Sequence, residues 1–186
     1  MKQNQIYMVF DVESVGLHGE GFAVGWVVVD DLGIERSHGL ISCDPIVACG
    51  ITDKSEQAAR EWLSKNIPPL RVTHESLREM RTDFWKQWLM WRGKGAVLVA
   101  DCAWPVEARF LGLCVSDDAD AREWEGPYPL HDLASILLAA GFDPLAKFVR
   151  KEDEFPEHNP LNDARQSARI LISKLNLLKE ATWPKK

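Results

Sequence analysis

Two acidic residues, one position apart, follow an apolar stretch near the start of the chain. Residues 7–13 read YMVFDVE, so Asp11 and Glu13 are separated by Val12. Because successive side chains of a strand alternate between its faces, both acids should lie on one face, about 6.6 Å apart. Buried carboxylates repel each other and lose hydration, and a shared Mg²⁺ ion offsets both costs. The pair indicates a divalent-cation site, although alone it is also typical of a solvated turn.

A histidine and an acid flank the start of the predicted last helix. Residues 158–165 read HNPLNDAR, in which Asn159 suits the N-cap and Pro160 the first helical position. His158 then lies in the loop before the helix and Asp163 in its first turns, so both can converge on one spot. A histidine titrates near neutrality and is a natural general base beside metal-bound carboxylates. Taken alone, the two residues are equally typical of an ordinary surface.

The elements that must position these side chains predict an α/β fold. Residues 22–30, with a bulge at Gly25, and residues 34–43 should pair with the first strand as three antiparallel strands. Residues 96–100 (AVLVA) predict a central strand covered on both faces. The apolar stripe of the helix predicted at residues 73–91 favours packing against the sheet over contact with bases. The predicted helices are residues 56–65, 73–91, 106–113, 133–140 and 160–180, and residues 147–157 should be an exposed, mobile segment.

Taken in order, these motifs resemble the DEDDh 3′–5′ exonucleases, which include the proofreading subunit of bacterial DNA polymerase III, ribonuclease T and oligoribonuclease. The segments FDVESVGL, GFAVGWVVVD and HNPLNDARQSARIL carry the resemblance, which spans nearly the whole chain. It implies a single 3′–5′ exonuclease domain over residues 1–186. The implied fold is ribonuclease H-like, a mixed sheet of three antiparallel strands and then parallel strands, flanked by helices.

The resemblance also implies an activity and its cofactors. Two divalent cations, Mg²⁺ with Mn²⁺ able to substitute, would support hydrolysis of single-stranded RNA or DNA from a free 3′ end. Asp11, Glu13, Asp163 and a middle acid would hold the ions, and His158 would be the general base. The alternative is a non-catalytic module that retains the fold and binds nucleic acid or protein.

The middle acid departs from the family's pattern, in which an aromatic residue directly precedes it. Here Pro105 follows the aromatic Trp104, and two acids compete for the role. Asp101 ends the central strand, and acids at strand ends in open α/β sheets face the ligand crevice, so we favour Asp101. Glu107, on the following helix, is the alternative because its longer side chain could reach in.

Contacts to substrate follow from the resemblance alone. Ser14, Val15, Gly16 and Leu17 should lie against the terminal nucleotide, with backbone groups at the sugar and Leu17 wedged beside a base. Trp104 either stacks on a base or covers the helix that follows it.

The composition of the chain limits the kinds of binding partner that we expect. The net charge of −6 argues against broad binding to polyanions but fits acids gathered around cations. No apolar run approaches the roughly 20 residues that span a bilayer, and no signal core is seen, so we expect a cytoplasmic protein without a membrane partner. An exposed tryptophan-rich helix around residues 85–91 would permit a homodimer.

Overall fold

A five-stranded mixed sheet forms the centre of the computed structural model, which describes residues 5–48 and 54–182. The strands are β1 (Ile6–Ser14), β2 (Gly21–Asp30), β3 (Glu35–Ser42), β4 (Ala96–Ala100) and β5 (His131–Asp132). Their order in the sheet is β3-β2-β1-β4-β5; β2 is antiparallel to both β1 and β3, β4 is parallel to β1, and β5 is parallel to β4. The predicted α/β fold, with antiparallel strands followed by parallel strands, is confirmed.

Helices cover both faces of the sheet. None of those described combines the length and apolarity that crossing a membrane requires. A helical turn at Ala103–Glu107 leads directly into the helix that begins at Ala108, and Glu152–Glu154 forms a single 3₁₀ turn. The helices are α1 (Lys54–Asn66), α2 (Leu77–Arg92), α3 (Ala108–Ser116), α4 (Ala119–Arg122), α5 (Leu133–Ala139) and α6 (Pro160–Thr182).

One face of the sheet packs against α2. The α2 residues Met80, Phe84, Trp88 and Trp91 are buried in one apolar cluster with Phe10 of β1, so the packing prediction for this stripe is confirmed. The expectation of an exposed tryptophan-rich surface is wrong, because these rings face the sheet and Trp85 is only 2% exposed. The homodimer prediction therefore loses the feature on which it rested.

The other face of the sheet packs against α5 and α6. Val9 of β1 joins Ala164, Ala168 and Leu171 of α6 in a second apolar cluster. Val9 is two residues before Asp11, so the alternation of a strand directs Asp11 and Glu13 toward α6. Apolar packing therefore decides which helix the acid pair meets.

Gly25 lets the start of α6 lie directly on the sheet. It pairs with Asp11 across β1 and β2. A Cβ atom at Gly25 would overlap the backbone of Pro160 and Leu161, the first two residues of α6. The predicted bulge at Gly25 is wrong: the register is regular there against both β1 and β3. The register shifts instead between Glu13 and Ser14 in the β1–β2 pairing and between Val28 and Val29 in the β2–β3 pairing. The glycine is needed for close approach rather than for an irregular strand.

The expectation that residues 147–157 are exposed is wrong at two positions. Glu154 is buried, and its carboxylate accepts hydrogen bonds from the Arg169 guanidinium of α6 and from the backbone N–H of Lys151. The Arg150 side chain is only 14% exposed. Charge alone predicted exposure, but each of these groups has a partner of opposite charge that allows burial.

Gly25→Ala should lower the free energy of unfolding, because the added methyl group meets backbone atoms that cannot rotate away. Overpacking typically costs about 1–3 kcal/mol, and a backbone clash belongs at the upper end. Gly112→Ala is the matched control: its Cβ would meet no atom within 4 Å, and alanine in a helix should stabilise by about 0.5–1 kcal/mol. Chemical denaturation measures both, and equal effects of the two substitutions would contradict the close approach.

Candidate active site

A cavity of about 450 Å³ lies where the end of β1 meets the start of α6. The acids from the beginning, middle and end of the chain reach the same space, and His158 stands beside them. Arg150 also lies in the wall. The residues that line the cavity are Asp11, Val12, Glu13, Ser14, Gly16, Leu17, Trp62, Asp101, Val106, Arg150, His158, Asp163, Gln166 and Ser167.

The cap of α6 sets the positions of His158 and Asp163. The Asn159 side chain accepts hydrogen bonds from the backbone N–H groups of Leu161 (3.1 Å) and Asn162 (3.4 Å), as expected of an N-cap. His158, just before the cap, has φ of 58°, in the left-handed region that residues other than glycine rarely adopt. The chain thus turns sharply at His158 and sends the helix across the sheet.

Glu13, His158 and Asp163 form a compact set of donors. One ligand atom from each lies within 4.8 Å of the others. His158 Nδ1 is 3.7 Å from Glu13 Oε1. The carboxylate oxygens of this set suit Mg²⁺ and Mn²⁺, and the imidazole beside them is either a further ligand of a first-row ion or a base for bound water. The residues present therefore fit a divalent cation.

Negative charge, offset only in part by Arg150, dominates the electrostatics of the cavity. Burial raises the pKa of Asp11 well above its ordinary value, and the charges of Glu107, Asp163, Glu13 and Asp101 raise it further. Burial raises the pKa of Glu13 to about 8, helped by Asp163 and then Glu107. Desolvated carboxylates resist ionising side by side, and a bound cation would remove that penalty.

Both candidates for the middle acid lie close to the site. Asp101 is exposed as a residue, but its carboxylate turns into the cavity wall and accepts a hydrogen bond from Ser167 Oγ at 3.0 Å. Burial raises its pKa, and this hydrogen bond opposes the rise. Glu107 is buried, and burial raises its pKa to about 7, opposed by hydrogen bonds from backbone N–H groups, among them that of Val12. Glu107 therefore reaches the end of β1 directly.

The structure brings some, but not all, of the side chains expected to contact substrate to the cavity. Ser14, Gly16 and Leu17 line the cavity. The Val15 side chain instead packs in an apolar cluster with Phe22 and Leu63, away from the cavity. Only its backbone remains available for the contact predicted from the resemblance.

Trp104 lies outside the residues that line the cavity. Its side chain is 71% exposed, so it does not cover the helix that follows. Its ring centroid is 6.4 Å from that of His18, in the loop after β1. Of the two alternatives left open by the sequence, packing against the following helix is wrong, and contact with a ligand stays a prediction.

Sequence reasoning missed three features of the cavity. Trp62 of α1 is 47% exposed and meets the His158 ring edge-on, with 5.1 Å between centroids. Arg150 enters from an irregular segment that carries no periodic signal. Gln166 and Ser167 could have been found, since they follow Asp163 by three and four residues and so share its helix face.

Comparison with known proteins supports the fold. E. coli Exonuclease I, solved in complex with a 5cy-dT13 oligonucleotide, aligns with a TM-score of 0.51 at 12% identity, covering 97% of this chain and 41% of that one. A moderately thermophilic Exonuclease I from Methylocaldum szegediense gives a TM-score of 0.49 at 14% identity, covering 96% and 41%. The chain thus spans about two-fifths of the length of these proteins, and the likeness is one of fold, the ribonuclease H-like fold of exonucleases. No family model and no curated protein matches the sequence.

Glu13→Gln should stabilise the cation-free protein at about pH 8 and have little effect near pH 5. The folded-state pKa of Glu13 is raised to about 8, so the stability it contributes is present at low pH and is lost as the pH rises toward that value. Glutamine stays neutral, so the variant keeps the free energy of unfolding that the unaltered protein loses, about a few kcal/mol at most. Denaturation in EDTA across this pH range measures it. Parallel pH profiles for the two proteins would contradict the buried charge.

Proposed function

We propose that this chain is a divalent-cation-dependent 3′–5′ exonuclease that hydrolyses single-stranded RNA or DNA. The observation that carries the proposal is the convergence of Asp11 and Glu13, from the first strand, with His158 and Asp163, from the start of the last helix, in one cavity. An exonuclease site needs carboxylates that bind cations, a base that accepts a proton from water, and an opening that admits the end of a strand. All three requirements have candidate residues here.

Asp11, Glu13 and Asp163 are the proposed ligands of the ion beside the attacking water. Asp11 and a middle acid would share the second ion. A pair of such ions stabilises the attacking and leaving oxygens of an in-line displacement at phosphorus. The protein's part is to hold the carboxylates in fixed positions, and the apolar packing on both faces of β1 fixes the two acids it carries.

His158 is the proposed acceptor of the proton from water. Its position beside Glu13 and Asp163 places the imidazole among the acids that would surround the water. The Trp62 ring covers one side of the imidazole, which restricts its rotation. The left-handed backbone at His158 directs the ring toward the cavity instead of along α6.

A single-stranded end is the proposed substrate. Leu17 is 67% exposed at the cavity wall and can insert beside a base, and the half-exposed Trp62 presents an aromatic surface in the same wall. Base–aromatic stacking contributes about 1–3 kcal/mol per base and tolerates any sequence. The E. coli protein of similar fold was solved with an oligonucleotide bound, which agrees with this class of ligand.

Glu107 is our proposed middle acid, in place of the sequence-favoured Asp101. Among the neighbouring charges that raise the pKa of Asp11, Glu107 has the largest effect and Asp101 the smallest. Asp101 is in addition bonded to Ser167, which occupies one of its oxygens. Asp101 then assists through water or by holding Ser167.

The activity itself is tested on 5′-labelled oligonucleotides of matched RNA and DNA sequence. With Mg²⁺ or Mn²⁺ we expect a ladder of products shortened from the 3′ end, abolished by EDTA and by Asp11→Asn, which removes a charged ligand without changing shape. Asp120→Asn, at an exposed position in α4, is the matched control and should leave the ladder intact. Binding of the strand without shortening would instead favour the non-catalytic module.

His158→Ala should reduce kcat by about 10²–10⁴-fold, the usual effect of losing a general base, while Mn²⁺ affinity stays within a few-fold. Single-turnover kinetics and calorimetric Mn²⁺ titration separate the two effects. A loss of Mn²⁺ affinity as large as the loss in rate would make His158 a ligand and refute the base role.

Glu107→Gln should weaken Mn²⁺ binding and slow hydrolysis more than Asp101→Asn does, by about tenfold or more in either quantity, a difference of about 1.4 kcal/mol. Both substitutions preserve shape and remove one charge, so each serves as the control for the other. The reverse order of effects would return the role to Asp101.

A further inference from the structure

Arg150 is the one arginine or lysine among the described residues that line the cavity. Its Nη1 atom donates hydrogen bonds to Asp163 Oδ1 at 2.6 Å and to the backbone carbonyl of Glu154 at 2.8 Å. Its Nε atom is 3.5 Å from a carboxylate oxygen of Glu157. The guanidinium is therefore anchored to its own segment on one side and bonded to a proposed cation ligand on the other.

The bond between Arg150 and Asp163 conflicts with cation binding. A guanidinium and a divalent cation draw on the same carboxylate charge, and Arg150 already opposes the rise in the pKa of Asp163 that burial causes. Without a cation, Arg150 offsets part of the repulsion among the acids. With a cation at Asp163, the two positive groups repel each other, and the arginine gains from an anionic partner elsewhere.

A second cavity beside Arg150 offers space for an anionic partner other than Asp163. This cavity, of about 310 Å³, adjoins the first and shares Asp101, Arg150, Gln166 and Ser167 with it. Lys147 and Phe148 also line it. The guanidinium thus stands where the two spaces meet, and a planar guanidinium matches the oxygens of a phosphate group in a bidentate fashion.

We propose that Arg150 exchanges partners, bonding Asp163 in the free protein and a phosphate group of the nucleic acid in the complex. The inference rests on the proposed function. When phosphate withdraws the guanidinium, the full charge of Asp163 becomes available for a cation. By reciprocity, a cation at Asp163 frees Arg150 for phosphate. Cation and nucleic acid then bind cooperatively, and the ion-free site is kept neutral enough to fold.

Mn²⁺ titration with and without thymidine 5′-monophosphate measures this coupling, because this phosphate-bearing probe contains no phosphodiester bond to hydrolyse. In the unaltered protein the nucleotide should raise Mn²⁺ affinity by about tenfold, within the usual range of coupling between sites. Without nucleotide, the Arg150→Gln variant should bind Mn²⁺ more tightly than the unaltered protein, by about threefold or more. The factor by which the nucleotide raises Mn²⁺ affinity should be smaller in this variant, to a similar extent. Mn²⁺ binding is read by calorimetry, independently of catalysis.

Arg169→Gln is the matched control, since Arg169 anchors the same segment through Glu154 without touching Asp163. It should leave both Mn²⁺ affinity and coupling as in the unaltered protein, which separates partner exchange from loosening of the segment. If Arg150→Gln binds Mn²⁺ no more tightly, or shows unchanged coupling, the exchange is refuted while the nuclease proposal stands. Failure of the unaltered protein to bind Mn²⁺ would overturn both.

Discussion

The burial of mutually repelling carboxylates at the end of β1 is the constraint on which the rest of the structure depends. Asp11, Glu13, Glu107 and Asp163 are held near one another with raised pKa values, and each would be more stable ionised in water. Their proximity must therefore be imposed by packing elsewhere. The apolar clusters on the two faces of the sheet supply that packing, and a chain without a use for a cation would gain nothing from bearing the cost.

The close approach of α6 to β2 converts this packing into a site. Gly25 pairs with Asp11 and has no side chain to separate the strand from the first turn of α6. The same helix end carries the Asn159 cap, which orients Asp163 and leaves His158 in the preceding turn. One glycine and one cap thus join the two ends of the sequence, and Arg150 provides the counter-charge that the acids would otherwise lack.

Local patterns predicted the parts of the fold and site that local physics determines. Strand alternation placed Asp11 and Glu13 on one face, and cap chemistry placed His158 ahead of α6. The features that were missed depend on tertiary contacts: Arg150 gains its role from a distant carboxylate, and Trp62 from a ring on another segment. The exposure expected around Trp85 failed because its ring joins the apolar cluster and its Nε1–H donates a hydrogen bond to Glu125, a residue distant in sequence. The sequence could not decide between Asp101 and Glu107 as the middle acid, because the direction of Glu107 depends on the helical turn Ala103–Glu107, in which Trp104 has an extended backbone.

Anomalous diffraction from crystals of the protein soaked in Mn²⁺ tests whether the buried acids bind cations. Strong anomalous density is expected inside the cavity, within coordinating distance of the Asp11 and Asp163 carboxylates, because these acids are gathered to share cations. Density confined to exposed surface acids such as Asp118 and Asp120, with the cavity empty at saturating Mn²⁺, would contradict a cation site in the cavity.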